Sequence, residues 1–164
     1  MRNLRLISRL DIKAPNLVKG IQLEGLRKLG SPNVFAKKYY EQGIDELVVI
    51  DNVASLFNTK LSLSTITDIS KNVFVPITVG GGIKTISDVD KCFEAGVDRV
   101  SINSGLFNDL DLINKVAKKY GSQAIQASIH AKIHEKNMWH AFYEAGREET
   151  GKCVVEYAKE LESL

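Results

Sequence analysis

Short apolar runs alternate along this chain with longer stretches in which apolar positions recur every three to four residues. The first pattern predicts buried strands and the second amphipathic helices. LRLISRLD (4–11) predicts a first strand, and a polar, glycine-bearing loop follows from about 12 to 30. Ser31 and Pro32 predict a helix start, because serine can cap free N–H groups and proline suits the first turn. Phe35, Ala36, Tyr39 and Tyr40 give that helix an apolar face. ELVVID (46–51) predicts the second strand, and residues from about 59 to 71 the second helix. VPITVG (75–80) is the third strand, and the run Thr85 to Asp88 is a capping-box signal for the helix after it. DRVSIN (98–103) is the fourth strand, with a helix from about 108 to 120. AIQASIH (124–130) is the fifth, and MWHAFY (138–143) a small extra strand in the loop beyond it. Thr150 is expected to cap a last helix carrying Val154, Tyr157, Ala158 and Leu161.

A strand–helix unit repeated five times predicts an α/β fold, a parallel sheet with right-handed crossovers and all helices on one face. Leu10-Asp11-Ile12-Lys13 at the end of strand one is echoed by Ile129-His130-Ala131-Lys132 at the end of strand five. A pattern that restarts after four units suggests a barrel built from two halves.

Composition narrows the function classes. The 164 residues, 44% hydrophobic and 26% charged, suit one domain with a buried core, here residues 1–164. The net charge is +2, and no basic stripe is interleaved with aromatics, so no nucleic-acid partner is expected. No apolar run is long enough for a membrane span, and MRNLRLISRLD lacks the apolar core of a secretory signal. Cys92 and Cys153 fall in helix-like segments and are expected to be reduced core thiols of a cytoplasmic protein.

In parallel α/β folds ligands bind beyond the C-terminal ends of the strands. Those ends read Asp11, Asp51, Gly80-Gly81-Gly82, Asn103-Ser104 and His130. Three glycines let backbone approach a ligand and turn N–H groups toward an anion. With Asn103 and Ser104 on the neighbouring strand end, Gly81 and Gly82 predict a phosphate cradle, the alternative being a tight turn before a capped helix. A bulky residue at Gly82 is expected to weaken phosphate-ester binding while leaving the fold largely intact. Asp11 is the candidate general acid/base, or else the partner of Arg9 in a structural ion pair. Lys19, in the long first loop, can reach an anionic substrate or simply be solvated. Asp51 is a supporting carboxylate or a helix cap. His130 titrates near neutral pH and can serve as acid or base, or be structural. His134 and His140 flank Trp139 without metal-ligand spacing, so neither a metal nor a cofactor is expected.

LDIK (10–13), LVKG (17–20), TVGGGI (78–83), SINS (101–104), YGSQ (120–123) and the GRE-x-TG segment (146–151) resemble the cyclase subunit of imidazole glycerol phosphate synthase, in order and over essentially the whole chain. The resemblance implies a (βα)8, or TIM, barrel. Its activity closes an imidazole ring on a phosphoribulosyl-formimino substrate with ammonia from a glutaminase partner. It places a first catalytic Asp on Asp11, a loop lysine on Lys19, and a first phosphate site on Gly82, Asn103 and Ser104. It also places an ammonia gate on Arg5, Glu46 and Arg99. The family's second catalytic Asp falls on His130. The family has eight units in about 250 residues, so this chain corresponds to an incomplete, half-barrel-like barrel of five.

The sheet face that would line a barrel takes Ile7, Arg9, Asp11, Val48 and Ile50. It is expected to be bare, with strands one and five as open edges. The chain is therefore expected to form a homo-oligomer, most simply a dimer. The apolar segment from about 132 to 143 either swings over that face or lies as a surface hairpin above strand five. Three functions compete: a cyclase-type lyase, weak or inactive as this chain; a non-catalytic half-barrel or phosphate-binding protein; and another phosphosugar-handling barrel enzyme, which the motif set disfavours.

Overall fold

Parallel strands buried on one face and helices packed against that face build the centre of the molecule. A computed structural model gives this fold for residues 4–21, 25–54, 57, 59–134 and 138–164. In chain order the elements begin β1 (Ile7–Lys13), β2 (Asn16–Ile21), β3 (Gly25–Gly30), α1 (Pro32–Glu41), β4 (Glu46–Asp51) and α2 (Leu63–Ser70). They continue β5 (Ile77–Gly80), α3 (Ile86–Glu94), β6 (Arg99–Ile102), α4 (Ser104–Asn108), α5 (Asp111–Tyr120) and β7 (Ile125–Ala127). The last are β8 (His130–Ile133), β9 (Trp139–Tyr143), β10 (Glu148–Cys153) and α6 (Val154–Glu162).

The main sheet runs β3-β2-β1-β4-β5-β6-β7. Pairing from β1 through β7 is parallel, with Ile7 opposite Glu46, Val48 opposite Thr78, Thr78 opposite Arg99 and Val100 opposite Ile125. Alternation along each strand divides two faces. Leu10, Ile12, Leu47, Val49, Val79, Val100 and Ile102 are buried with Ala36, Ile66, Val89, Leu112 and Val116 from the helices. The opposite face is more open, since Ile7 is 48% exposed and Arg9 and Gln126 are also exposed. The parallel βα repeat is thus as the sequence pattern predicts.

Several local expectations are corrected. The segment expected to be a loop from 12 to 30 is an antiparallel hairpin, β2–β3, whose tip at 22–24 lies outside the described residues. It also pairs with the end of β1, Ile12 opposite Leu17, so the edge of β1 is not open there. Among the described residues of this hairpin only Leu17 and Val18 are buried; lysines and glycines dilute the alternation that marks a strand. Strand five is shorter than expected. Ser128 N–H donates to the Ile102 carbonyl, pairing stops there, and His130 begins a second, antiparallel sheet, β10-β9-β8. The segment around 138–143 is therefore a strand of a surface sheet and not a free arm. Met138 and Trp139 are exposed while Ala141 is buried; positions 135–137 lie outside the described residues.

Capping also departs from expectation in two places. Ser31 precedes α1 with Pro32 in the first turn but makes no side-chain cap. Thr150 does not cap α6. It lies in β10, where its hydroxyl donates to the Ala141 carbonyl at 2.8 Å and accepts from Lys152 N–H. Cys153 stands before α6 instead, half-buried, while Cys92 is buried in α3; both are free thiols. Burial, reinforced by the charge of Asp88, pushes the Cys92 thiol up to about 11. Along α6, Tyr157 and Leu161 are buried but Ala158 is exposed. The Tyr157 ring stacks on Phe107 with centroids 4.7 Å apart, which docks the helix onto α4.

The capping box at Thr85 is present as predicted. Thr85 Oγ1 accepts from Asp88 N–H at 3.2 Å, and the Asp88 carboxylate accepts from Thr85 N–H at 3.0 Å. Thr85→Ala should destabilise the fold by about 1 kcal/mol in urea unfolding, and Thr85→Ser by clearly less.

Candidate functional site

One cleft opens at the C-terminal ends of the strands, and Arg9, Asp51, Gly82, Asn103, Ser104 and His130 are among the residues that line it. Asp51 ends β4 and is buried. Its Oδ1 accepts from the N–H groups of Val53 and Ala54, both at 3.0 Å, so this carboxylate ties down the turn that follows its strand. The glycine loop packs against that turn. A Cβ at Gly81 would lie 2.3 Å from the Asp51 carbonyl oxygen, and Gly81 has φ +105°. At Gly82, with φ +70°, a Cβ would meet Ala54 Cβ and the Thr59 carbonyl oxygen at 3.0 Å. The expectation that a bulky residue at Gly82 leaves the fold largely intact is therefore corrected: the position has neither the space nor the backbone conformation for one.

Asn103 and Ser104 begin the next connection, and both are engaged. Asn103 Nδ2 donates to the Ser128 carbonyl at 2.6 Å and to the Phe142 carbonyl at 3.4 Å. Ser104 Oγ donates to Asn103 Oδ1 at 3.3 Å and accepts from Glu144 N–H at 3.1 Å. The two residues thus fasten the surface sheet to the rim of the cleft, a role their positions in the sequence did not announce. The carbonyls of Ser128 and Phe142 that receive these bonds carry no side-chain signal.

The acid/base candidates are arranged around Arg9. Arg9 Nε donates to Asp11 Oδ1 at 2.9 Å, so the ion pair weighed from sequence is formed. Both side chains are partly solvated, and Asp11 is not among the cleft-lining residues. His130 is half-buried on the cleft wall, and its Nδ1 is buried with no hydrogen-bond partner among the described residues. Burial first, then the charges of Arg9 and Lys132, hold the imidazole below its ordinary value of 6.5. A neutral ring with a free nitrogen can accept a proton. Lys19 does not lie in a loop. It is exposed on β2, cross-strand from Arg27, and does not line the cleft.

The opposite end of the sheet holds a second charged group. Glu46 is buried at the start of β4 and accepts from Arg99 Nη1 at 2.8 Å and from Arg5 Nη1. Three residues far apart in sequence, Arg5, Glu46 and Arg99, therefore meet where the strands begin. On the surface sheet, His134, His140 and Glu149 bring one ligand-type atom each within 4.8 Å of the others. Sequence spacing alone missed that grouping, because strand pairing creates it. Among the described residues no helix is long and apolar enough to cross a membrane.

Residues 5–164 match the family model described as histidine biosynthesis protein. The chain is 45% identical over 164 residues to the imidazole glycerol phosphate synthase subunit HisF of Legionella pneumophila, covering all of this chain and 77% of that protein. It is 42% identical over 160 residues to HisF of Hydrogenobaculum sp., covering 98% of this chain and 64% of the relative. It is 40% identical over 164 residues to HisF of Dehalococcoides mccartyi, covering 64% of that protein. The chain thus spans under two thirds of the length of these last two relatives.

Acid sensitivity follows from His130. Its folded value lies below 6.5, so between the two values the unfolded chain binds more protons than the folded one. The contribution is present above 6.5 and is lost as pH falls through the folded value. Urea midpoints should drop as pH is lowered below about 6.5, and His130→Gln should flatten that part of the profile; equal slopes in both proteins would contradict the assignment.

Proposed function

The chain belongs to the histidine biosynthesis protein family, and on that basis we propose that it carries the cyclase-type site of imidazole glycerol phosphate synthase on the first five units of a (βα)8 barrel. The single observation that supports this most is the convergence of Gly82, Asn103, Ser104 and His130 on one cleft at the strand ends. The substrate is a phosphorylated small molecule of the phosphoribulosyl-formimino class. One phosphate end sits at Gly81, Gly82, Asn103 and Ser104, with Asp51 holding the adjoining turn; Lys19, exposed on β2, stands where the family has its substrate-facing lysine. Asp11 acts as general acid/base. His130 stands where the family has its second catalytic carboxylate.

Ammonia is the nitrogen donor, supplied by a glutaminase subunit docked at the opposite end of the strands. The Glu46 cluster supports a gate there, because a buried carboxylate held by Arg99 and by the exposed Arg5 keeps the strand starts closed until one arginine swings away. No metal or cofactor takes part in this reading. The free thiols Cys92 and Cys153 fit a reducing, cytoplasmic setting.

With His130 in place of a carboxylate and one phosphate site on these five units, turnover by the 164-residue chain should be weak. A bisphosphate held at one end loses much of its orientation, a factor that contributes several kcal/mol in well-positioned reactions. A cyclase assay with ammonium salts tests this. Asp11→Asn should abolish whatever activity is measured, and His130→Asp should raise it or leave it unchanged. Robust wild-type turnover, or activity surviving Asp11→Asn, would overturn the assignment of roles.

The second reading, a self-associating half-barrel, is favoured by exposed apolar groups. Ile7 is 48% exposed on the open sheet face, and Trp139 is 51% exposed on the surface sheet. At about 25 cal/mol per Å2, covering a few hundred Å2 of such surface is worth several kcal/mol. Light scattering at micromolar concentration should therefore give a mass above the 18.2 kDa monomer, most simply twice it. A stable folded monomer refutes self-association, and Trp139→Ser should shift the equilibrium toward monomer if this segment is the contact.

A further inference from the structure

The cluster on the surface sheet plays no part in the chemistry proposed above. In the β8–β9 hairpin Lys132 pairs with His140 and Ile133 with Trp139. The hairpin is closed by His134 N–H donating to the Met138 carbonyl at 2.7 Å. Side chains alternate along a strand, so His134 falls on the same face as Lys132 and therefore as His140. On the other side of β9, Glu149 pairs with Phe142, two residues from His140 and hence also on that face. The end of the β8 segment, β9 and β10 thus deliver His134, His140 and Glu149 to one patch from positions with no recognisable ligand spacing in the sequence.

The side chains are already gathered. The two imidazole rings stack with centroids 4.4 Å apart and 6° between planes. Glu149 Oε1 faces both: it is hydrogen-bonded to His140 Nδ1 and lies 3.6 Å from His134 Nδ1. One carboxylate oxygen serving two imidazoles is more than an ion pair requires. A tetrahedral cation with ligand bonds of about 2.1 Å sets its ligand atoms about 3.4 Å apart. The 3.6 Å separation is close to that value. Binding requires the His140–Glu149 pair to open as the proton between them is displaced, and one of the two parallel rings to turn out of the stack so that both in-plane nitrogens face the ion. The side chains of His134 and Glu149 are 44% and 36% exposed, so an ion can reach them from solvent.

We propose that His134, His140 and Glu149 form a binding site for a divalent transition-metal cation, zinc foremost, with water completing the coordination. Two imidazoles and one carboxylate are a donor set that suits zinc, while calcium and magnesium prefer oxygen ligands alone. Bound zinc ties β8, β9 and β10 together at one point. The same sheet gives the Phe142 carbonyl to Asn103 and the Glu144 N–H to Ser104, so the ion braces the wall above the cleft without entering it.

The test is titration of the metal-free chain with zinc alone by isothermal calorimetry, with thermal unfolding followed in parallel. The wild type should bind one equivalent and gain melting temperature, because a ligand that binds only the folded state stabilises it. His134→Ala and Glu149→Gln change exposed side chains and should leave the circular dichroism spectrum unaltered. Each should weaken zinc binding by at least about tenfold, as removal of even a supporting group commonly does. Cobalt substituted for zinc should give the visible absorption of a tetrahedral site in the wild type and lose it in both variants. Absence of zinc binding by the wild type, or binding undiminished in either variant, overturns the proposal.

Discussion

No Cβ fits at positions 80, 81 or 105. An added atom would lie 2.7 Å from the Ser101 carbonyl oxygen at Gly80, 2.3 Å from that of Asp51 at Gly81, and 2.6 Å from that of Ile83 at Gly105. The rest of the cleft depends on this backbone-to-backbone approach at the ends of β4, β5 and β6. It brings the turn after Asp51, the glycine loop and the Asn103–Ser104 corner into contact with no side chains between them. What remains above them is a concave surface rich in backbone groups, the kind of surface on which an anion is recognised.

The surface sheet is the second determinant. A (βα) repeat would carry the chain from β7 directly to a helix, yet pairing here ends at Ser128 and three antiparallel strands intervene before α6. Asn103 links the two sheets by donating to carbonyls on both sides of the break. His130 sits at this junction, with its Nδ1 unpartnered among the described residues and the cations Arg9 and Lys132 bearing on its charge. Burial first, and then those cations, disfavour imidazolium, and Arg9 on the cleft wall also suits an anionic ligand.

The two ends of the parallel sheet are differentiated by charge. At the strand starts a buried carboxylate, Glu46, is held between two guanidinium groups. At the strand ends the partners are mostly backbone N–H groups and amides. Removing one arginine from Glu46 would leave a buried charge less compensated.

The amino-acid pattern by itself determined the parallel repeat. ELVVID (46–51) became β4 with the same bounds, and the capping box at Thr85 is formed, because burial periodicity and capping are local consequences of side-chain chemistry. The polar residues at the strand ends were legible for the same reason: each directly follows an apolar run. Only the tertiary structure decided the rest. The β2–β3 hairpin carries too few buried positions to show a period, and Thr150 went to a strand because Ala141 offered its carbonyl across the sheet. The two faces of Glu46 and the double hold of Asn103 rest on contacts between segments far apart in sequence, and the meeting of His134, His140 and Glu149 on the register of three neighbouring antiparallel strands. A register of hydrogen bonds between segments far apart in sequence leaves no mark on the residues that it brings together.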